Sequence, residues 1–421
     1  MHSSSQPVQG SRSRSAWVVL LAGIAAASHV GKMAPALPAL RDALGISLTE
    51  AGFLLSAVQI AGLSLGLALG AFADGFGLRR SVLLGLILIG SVSVLGSQAQ
   101  SPVELLVCRA LEGIGLLLVA LPAPALIRRL TPEKQVSSML GYWGSYMPAG
   151  TVIAMLLGPY VLQWSAQGDA WRVWWFGLGA LSLAVALLGW LQIPPDPGRS
   201  APTDHLPERW LDRVQQTLSH REPWLAALCF AMYSGQWLAV VGFLPSLYGR
   251  AGYSVTAVSV LSALVVAANA LGNMASGKLL QAGCAPRKVL TSGYVVMALG
   301  AVLGFSEAGV LRDAGPAVRY LGVLAFSAVG GLIPGSLFAL AVRAAPTPQT
   351  LSTTVGWMQQ CSAFGQFAGP PLVAWVTARA GGWEVAWWVT SAFALCGLAL
   401  TLCVPALLAA ATRGSSGAVR G

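Results

Sequence analysis

The sequence predicts an all-α membrane protein with twelve transmembrane helices, and two observations support this fold class. Of the 421 residues, 55% are hydrophobic and 10% are charged, against roughly 25% charged in an ordinary soluble domain. Apolar stretches near the roughly 20 residues that a helix needs to cross a bilayer recur along the whole chain. Because backbone polar groups in hydrocarbon must be paired within their own segment, we expect these stretches to be helices.

The predicted spans form two groups of six around one long polar segment. They lie near residues 17–40, 50–73, 81–98, 103–127, 136–162, 172–193, 223–247, 255–277, 288–306, 318–342, 351–378 and 384–410. We therefore expect a disordered N-terminus at 1–15, an N-terminal six-helix bundle at 16–193 and a cytoplasmic linker at 194–222. A C-terminal six-helix bundle at 223–410 and a cytoplasmic tail at 411–421 complete the predicted organisation.

The distribution of positive charge predicts the orientation of the chain. An even number of spans places both termini on one side, and that side carries 17 of the 25 Lys and Arg residues. By the positive-inside rule, both termini are expected in the cytoplasm and the protein in the inner cell membrane. The net charge of +10 is then an orientation signal, so we expect no nucleic-acid partner.

Two other interpretations of the composition are rejected. Arg12 and Arg14 before an apolar run imitate a secretory signal peptide, but cleavage there would leave eleven spans and disturb the charge asymmetry. All six cysteines fall within spans or on the cytoplasmic side, where a disulfide framework is not expected. No metal-ligand spacing occurs, so we predict no metal and no cofactor.

Two motifs resemble a known family of transporters. Gly70, Asp74, Gly77, Arg79 and Arg80 lie in a short charged break between two apolar runs, and their spacing resembles the loop between the second and third helices of the major facilitator superfamily. The fourth span opens with R-x-x-x-G-x-G, at Arg109, Gly113 and Gly115, which is also similar to that superfamily. The resemblance covers essentially the whole chain.

An internal repeat supports the same family. Trp171-Arg-Val-Trp-Trp before the sixth span matches Trp383-Glu-Val-Ala-Trp-Trp before the twelfth, and Arg80-Ser-Val-Leu matches Arg287-Lys-Val-Leu. A direct repeat of six spans is typical of two pseudo-symmetric halves related by an axis along the membrane normal. The resemblance implies two six-helix bundles that expose a central site to each side of the membrane in turn.

The loop motif also predicts a gate. A carboxylate at Asp74 would be favoured near the positive N-terminal end of the third helix or beside neighbouring arginines. Such contacts are expected to stabilise the outward-open state. At the offset of the repeat, Asp74 corresponds to Gln281, so we expect the gate to depend on the first half.

Four ionisable residues are predicted at membrane depth, where charge is costly and usually functional. His29 and Lys32 share a face of the first span, as do Arg109 and Glu112 in the fourth. Lys32 either faces a cavity or extends its charge to the outer surface, and His29 is either a solute contact or a packing residue. Glu112 is the candidate for proton coupling, unless its pair with Arg109 only holds helices together.

Polar residues in later spans complete the predicted substrate site. Each of them is otherwise a contact between helices worth about 0.6 kcal/mol. With His29, Lys32 and Arg109, the predicted substrate-binding residues are Tyr142, Tyr146, Tyr233, Gln236, Asn269, Asn273, Gln359 and Gln360.

These observations predict a secondary active transporter of a small, anionic organic solute. Lys32 and Arg109 would attract the solute, with H⁺ as the coupling ion if Glu112 exchanges protons. The alternative is a multidrug or metabolite efflux antiporter, which the absence of G-x-x-x-G-P-x-x-G-G from the fifth span disfavours. An enzyme would need a cluster of reactive side chains, and His29 and Glu112 lie on different spans. We expect a monomer whose partners are the solute and the lipid bilayer.

Overall fold

The computed structural model describes residues 9–65, 76–164, 169–196, 207–347 and 350–403, and over these residues the fold is all-helical. Short 3-10 turns occupy Ala57–Gln59, Gly309–Leu311 and Trp383–Val385. The α-helices include α1 (Gln9–Gly31), α2 (Met33–Leu44), α3 (Leu48–Ser56), α4 (Leu78–Gly96), α5 (Pro102–Ala120), α6 (Ala123–Leu130), α7 (Glu133–Trp143), α8 (Tyr146–Leu162), α9 (Ala170–Gln192), α10 (Pro207–Ser219), α11 (Arg221–Arg250), α12 (Val255–Gln281), α13 (Pro286–Phe305), α14 (Pro316–Gly330), α15 (Leu332–Ala344), α16 (Leu351–Ala380) and α17 (Ala386–Leu402).

Within the described residues, helical segments lie in each of the twelve predicted spans, of which the second and the twelfth are described only in part. Within the described residues, ten helical segments are long and apolar enough to cross a membrane. The predicted fifth span falls short because its apolar helix α8 has 17 residues. The predicted eleventh span, α16, has 30 residues but carries several glutamines near its middle, which lower its hydropathy. The all-helical membrane fold is therefore confirmed, while the count of twelve spans stays a prediction.

Several spans are interrupted where the sequence weakens the helix. Lys32 separates α1 from α2, yet its amide still donates to the Ser28 carbonyl oxygen at 2.8 Å, so the turn continues through the break. Gly331, the second residue of the pair Gly330–Gly331, separates α14 from α15. At the other end of the chain, α1 begins at Gln9, inside the segment expected to be disordered.

The chain folds into two compact units, which are described separately. Unit 1 comprises Met1–Ile46, Ala68–Arg199 and Pro245–Ala263, and unit 2 comprises Ser47–Leu67, Ser200–Leu244 and Leu264–Gly421. In unit 1, α1 packs against α8 and α9, and α4 packs against α5 and α9. The α4–α5 packing depends on glycine, because a Cβ atom on Gly85 would lie 2.6 Å from the Gly115 carbonyl oxygen. This close approach brings α1, α4, α5 and α9 around one interior.

Unit 2 is built in a similar way around α13 and α16. Helix α13 packs against α14 and α17, and α16 packs against α3. Tyr294 of α13 is fully buried and its hydroxyl donates to the Cys229 carbonyl oxygen at 2.6 Å. Phe53 and Phe367 join α3 to α16 with ring centroids 6.1 Å apart. The polar residues predicted in the later spans lie within this second unit.

Candidate functional site

Four ionisable side chains meet inside unit 1. His29 lies at the end of α1, Lys32 occupies the break before α2, and Arg109 and Glu112 lie on α5. All four residues have 0% solvent exposure. Since burying charge is costly unless the charges are paired and hydrogen-bonded, the contacts within this cluster decide what it can do. We call these four residues the charged cluster.

Glu112 is the centre of the charged cluster. One carboxylate oxygen, Oε1, accepts a hydrogen bond from Lys32 Nζ at 2.5 Å. The other oxygen, Oε2, accepts from Arg109 Nη1 at 2.6 Å, as the spacing of three residues on one helix predicts. Arg109 Nη1 also donates to the His29 carbonyl oxygen at 2.6 Å. A single carboxylate therefore pairs with two cations and links α5 to the α1–α2 break.

The Lys32 ammonium group has three hydrogen-bond partners, which matches its three N–H donors. Besides Glu112, it contacts Ser93 Oγ at 2.8 Å and His29 Nδ1 at 3.1 Å. Nζ also lies 4.6 Å from the centroid of the Trp175 ring, where a cation–π interaction adds to its stabilisation. The structure therefore holds Lys32 inside unit 1 and does not extend its charge to the outer surface.

His29 is placed so that its ring is uncharged beside an ammonium group. Its Nδ1 accepts from Lys32, so the ring proton belongs on Nε2, which lies 2.8 Å from Ser182 Oγ. The same Nδ1 is 3.6 Å from Glu112 Oε1. This arrangement assigns His29 the Nε2–H tautomer and makes it a polar partner of Lys32 with no charge of its own.

The charged cluster carries one excess positive charge. Lys32 and Arg109 contribute two cations, Glu112 contributes one carboxylate, and His29 is neutral in the tautomer that its contacts assign. In a fully buried site, electrostatic interactions between charges are much stronger than in bulk solvent. A group of this kind attracts anions and also favours any change that removes a positive charge.

Unit 2 contains a second, uncharged polar cluster. The Tyr233 hydroxyl donates to Asn269 Oδ1 at 2.9 Å, and Asn269 Nδ2 donates to the Ser327 carbonyl oxygen at 2.8 Å. Trp237 Nε1 donates to Ser327 Oγ at 3.0 Å. Gln236 is also buried, and its Oε1 has no hydrogen-bond partner among the described residues. Tyr233 and Asn269 are thus brought together as predicted members of one site.

The remaining predicted substrate residues are more dispersed. Tyr142 is 53% exposed and packs on Trp17, and Tyr146 stacks on Trp143. In unit 2, Gln360 Nε2 donates to the Leu63 carbonyl oxygen at 2.6 Å. Asn273 and Gln359 have exposed side chains. The structure therefore brings these five residues into neither polar cluster.

At the predicted gate, the structure shows a carboxylate that the sequence analysis did not predict. Gly70 and Asp74 lie outside the described residues. Asp196, four residues beyond α9, accepts the backbone N–H groups of Arg79 and Arg80 at 3.0 and 3.1 Å. Arg129 Nη1 donates to the same carboxylate at 2.7 Å. Asp196 therefore occupies the N-terminal end of α4, where Gly77 turns the chain with φ +113°.

The surroundings of Asp196 stabilise its ionised form. Burial acts to raise the pKa of this carboxyl, but the hydrogen bonds from Arg79, Arg129 and Arg80 outweigh burial and hold the pKa below its usual value. Two backbone donors at a helix N-terminus and a guanidinium group are all favourable to a carboxylate. Asp196 thus ties the end of α9 to the start of α4 and the end of α6.

The sequence analysis missed Ser93, Ser182 and Trp175 in the charged cluster, as well as Asp196. A serine or tryptophan inside an apolar span gives no distinctive signal, because both are common at contacts between helices. Asp196 lies in a Pro-Pro-Asp-Pro segment and is the first acid after α9. This position directly after a span was the signal in the sequence that could have identified it. Among the described residues, no group of three His, Cys, Asp or Glu side chains is placed to hold a metal ion.

Comparisons with known proteins agree with this architecture. A family model described as Major Facilitator Superfamily matches residues 18–349. The cyanate transport protein of Escherichia coli K12 is 25% identical over 255 residues, covering 61% of this chain and 64% of that protein. The puromycin resistance protein of Streptomyces alboniger is 32% identical over 162 residues, covering 38% and 31%. The matches thus span less than two thirds of each relative.

Solved structures show the same fold. The crystal structure of a D-xylose–proton symporter superposes with a TM-score of 0.69 at 15% sequence identity, covering 92% of this chain and 96% of that one. At this level of identity the similarity concerns the fold, and its meaning for the solute must come from the side chains of this protein.

Proposed function

Because the chain belongs to the Major Facilitator Superfamily, we propose that it is a secondary active transporter that moves a small, anionic organic solute across the inner cell membrane. The single observation that supports the anionic class is the excess positive charge of the charged cluster. Lys32, Arg109 and Glu112 are all fully buried, and one carboxylate offsets only one of the two cations. The relative named as a cyanate transport protein handles a small anion, which is consistent with this class.

An anion is also suited to drive the conformational change. A ligand shifts an equilibrium between two states only if it binds them with different affinities. The excess charge near Lys32 and Arg109 is unfavourable until an anion approaches, so the state that brings the anion nearer to them is stabilised. This gives the solute the differential affinity that alternating access requires.

We further propose solute contacts from the polar side chains named above. The buried Oε1 of Gln236 lacks a partner among the described residues, and a buried polar atom without a partner is costly. Tyr233 and Asn269 form the neighbouring hydrogen-bonded pair. These groups would recognise hydroxyl or amide groups of an organic solute and do not determine its charge.

The test is ligand binding with a charge-matched control. We would screen purified protein for thermal stabilisation by small anions, including cyanate and simple carboxylates, beside the neutral amides of those carboxylates. Anions should stabilise the wild type more than the amides do. Lys32→Gln and Arg109→Gln should weaken binding, whereas Arg128→Gln, which removes an exposed charge at the end of α5–α6, should not. Unchanged affinity in both cluster variants would contradict an anionic substrate.

A second candidate function is multidrug or metabolite efflux. The similarity to a puromycin resistance protein over 162 residues favours it. Expression in a strain that lacks its own efflux pumps separates the two functions: an efflux protein would lower dye accumulation and raise resistance to puromycin. A transporter of small anions would leave both unchanged.

A further inference from the structure

We infer that Lys32, and not Glu112, is the group that takes up and releases a proton during transport. This inference rests on the proposed function, because it names the coupling residue of the same site. It also specifies the coupling: one proton is bound when one negative charge arrives. The argument uses the charge of the cluster, the partners of each group and the chemistry of those partners.

The charge of the cluster opposes proton uptake by Glu112. Protonating Glu112 would leave Lys32 and Arg109 as two buried cations with no carboxylate between them, which raises the net charge from +1 to +2. Releasing the proton of Lys32 instead leaves the Arg109–Glu112 ion pair and brings the net charge to zero. Arginine is not deprotonated in proteins, so Lys32 is the cation of this cluster that can change its charge.

The partners of Lys32 Nζ suit both protonation states. An ammonium group donates three hydrogen bonds, whereas a neutral amine donates two and accepts one. Ser93 Oγ accepts from Nζ at 2.8 Å and donates to the Trp175 carbonyl oxygen at 2.8 Å. When Lys32 is neutral, the same hydroxyl can turn to donate to Nζ. The Ser93 hydroxyl is therefore able to stabilise the lysine in either state.

His29 offers a second reversible partner. Its Nδ1 accepts from Lys32, and its Nε2 lies 2.8 Å from Ser182 Oγ. A change of tautomer makes Nδ1 the donor and lets Nε2 accept from the Ser182 hydroxyl, with the ring neutral throughout. Glu112, by contrast, is acceptor-only while ionised, and Arg109 holds its second oxygen at 2.6 Å. Ser93 and His29 can thus each change from hydrogen-bond acceptor to donor toward Lys32, whereas Glu112 stays ionised.

The other helices around Lys32 add no second carboxylate among the described contacts. From α5 it faces Glu112 and Arg109, with the thiol of Cys108 nearby. Helices α4 and α9 bring Ser93, Ser182 and Trp175, which do not titrate in this range. Helix α8 packs along the α1–α2 break through Thr151 and Gly158. The protonation state of Lys32 is therefore governed by Arg109, Glu112, His29 and whatever charge approaches the cluster.

Coupling follows from this arrangement. Without a solute, release of the Lys32 proton to bulk water removes the excess charge. When an anion approaches, it supplies the missing negative charge, and Lys32 takes a proton back from bulk water. Proton and anion then bind together and leave together, which is symport of one proton with each solute molecule.

The first experiment observes Lys32 directly and needs no solute. The sequence contains four lysines, Lys32, Lys134, Lys278 and Lys288, so ¹³C labelling at the lysine side chain gives an NMR spectrum that can be assigned. Replacing the other three by arginine identifies the Lys32 signal without altering the cluster. As the pH is raised, the Lys32 signal should be the first of the four to move to the position of a neutral amine. A Lys32 signal that moves together with the others would overturn the inference.

The second experiment separates proton coupling from transport. Lys32→Arg keeps the positive charge but cannot release a proton. In proteoliposomes with cyanate as the probe, exchange of labelled for unlabelled cyanate is measured beside uptake driven by a pH gradient, and the ratio of gradient-driven uptake to exchange should fall toward zero in this variant. Lys278→Arg, at an exposed lysine of α12, should retain both activities. Proton-driven uptake that survives in Lys32→Arg would assign the proton to another group, Glu112 first.

The two experiments also distinguish failure of this inference from failure of the proposed function. If the wild type neither binds nor exchanges any anion of the panel, the anionic substrate is wrong, and the NMR titration still decides whether Lys32 changes its charge. If anions are exchanged but Lys32 stays protonated throughout, the substrate class stands and the coupling residue is wrong. If Lys32→Arg does not fold, the NMR titration decides the question, because it observes Lys32 in protein whose charged cluster is unaltered.

Discussion

At the scale of single residues, the charged cluster depends on one carboxylate. Glu112 accepts hydrogen bonds from Lys32 and Arg109 at 2.5 and 2.6 Å, and each of these residues is fully buried. A buried ion pair contributes little net stability relative to apolar residues, but removing one partner is strongly destabilising. Glu112 is therefore the position where a small chemical change has a large effect.

Glu112→Gln should lower the free energy of unfolding by about 3–5 kcal/mol, because it removes the carboxylate that pairs with the two buried cations Lys32 and Arg109. Thermal unfolding of the purified variant measures this loss. The double variant Lys32→Met with Glu112→Gln removes one of those cations and should recover part of the stability.

A matched control for this prediction is Glu133→Gln, which removes an exposed carboxylate in the first turn of α7. Its unfolding temperature should equal that of the wild type within error. Equal stability of Glu112→Gln and Glu133→Gln would mean that the carboxylate does not hold the cluster together.

Proton-driven transport would not by itself identify the role of Glu112. The sequence predicts that Glu112→Gln loses pH-driven accumulation because Glu112 carries the proton. A proton on Lys32 predicts the same loss, since two unbalanced cations would hold Lys32 in its neutral form. Lys32→Arg is the variant for which the two mechanisms differ.

At the scale of helices, Asp196 makes a contact that the sequence does not predict, while Asp74 lies outside the described residues. The sequence indicates a carboxylate at the start of the third span, and the structure places one there from the far end of α9. The spacing of the loop motif suggests that Arg79 contacts an acid nearby in the sequence, whereas Asp196 and Arg79 are separated by 117 residues. A contact of this kind cannot be predicted before the packing of α4 against α9 is known.

Asp196→Asn should lower the stability of unit 1 at pH 7 by about 1 kcal/mol, since it removes a carboxylate from a helix N-terminus at a partly exposed site. The pKa of Asp196 is held below its usual value of 3.8. The stabilisation is therefore complete above that value and is lost as the pH falls through the lower pKa of the folded protein. Unfolding temperatures measured at pH 7 and at acid pH test this dependence.

The control for Asp196 is Asp212→Asn, at an exposed acid of α10. The wild type and Asp212→Asn should lose the same stability between neutral and acid pH, and Asp196→Asn should lose less. An identical acid profile for all three proteins would show that the contacts with Arg79, Arg80 and Arg129 do not stabilise the folded chain.

Helix packing also explains the second glycine of the second family motif, Gly115. Gly115 follows Arg109 by six residues, and a Cβ atom there would lie 2.7 Å from the Gly85 carbonyl oxygen. The motif therefore combines a charged residue of the cluster with the small residue that lets α5 approach α4 closely.

At the scale of the whole molecule, the family and the charge distribution together predict the orientation in the membrane. The positive-inside rule places both termini in the cytoplasm. A fluorescent reporter that matures only in the cytoplasm should be active when fused to the C-terminus. The same reporter fused after residue 164, in the connection between α8 and α9, should be inactive. Fluorescence in the second fusion and none in the first would reverse the orientation.

The sequence by itself determined the fold class, the family and four residues of the candidate site. Helix formation in hydrocarbon is a local requirement, because each segment must pair its own backbone groups, so composition and spacing are enough to predict it. The cost of buried charge likewise marks His29, Lys32, Arg109 and Glu112 in the sequence alone.

Only the tertiary structure decided what those residues contact. Lys32 meets Ser93 across 61 residues of sequence, and His29 meets Ser182 across 153. These pairings arise from the packing of α1, α4, α5 and α9, which depends on shape over the whole of unit 1 and leaves no periodic signal in the chain. The same packing directs the Lys32 side chain into the interior of unit 1. The sequence alone left open whether Lys32 faces a cavity or extends its charge to the outer surface, and the proposed proton coupling depends on the buried position.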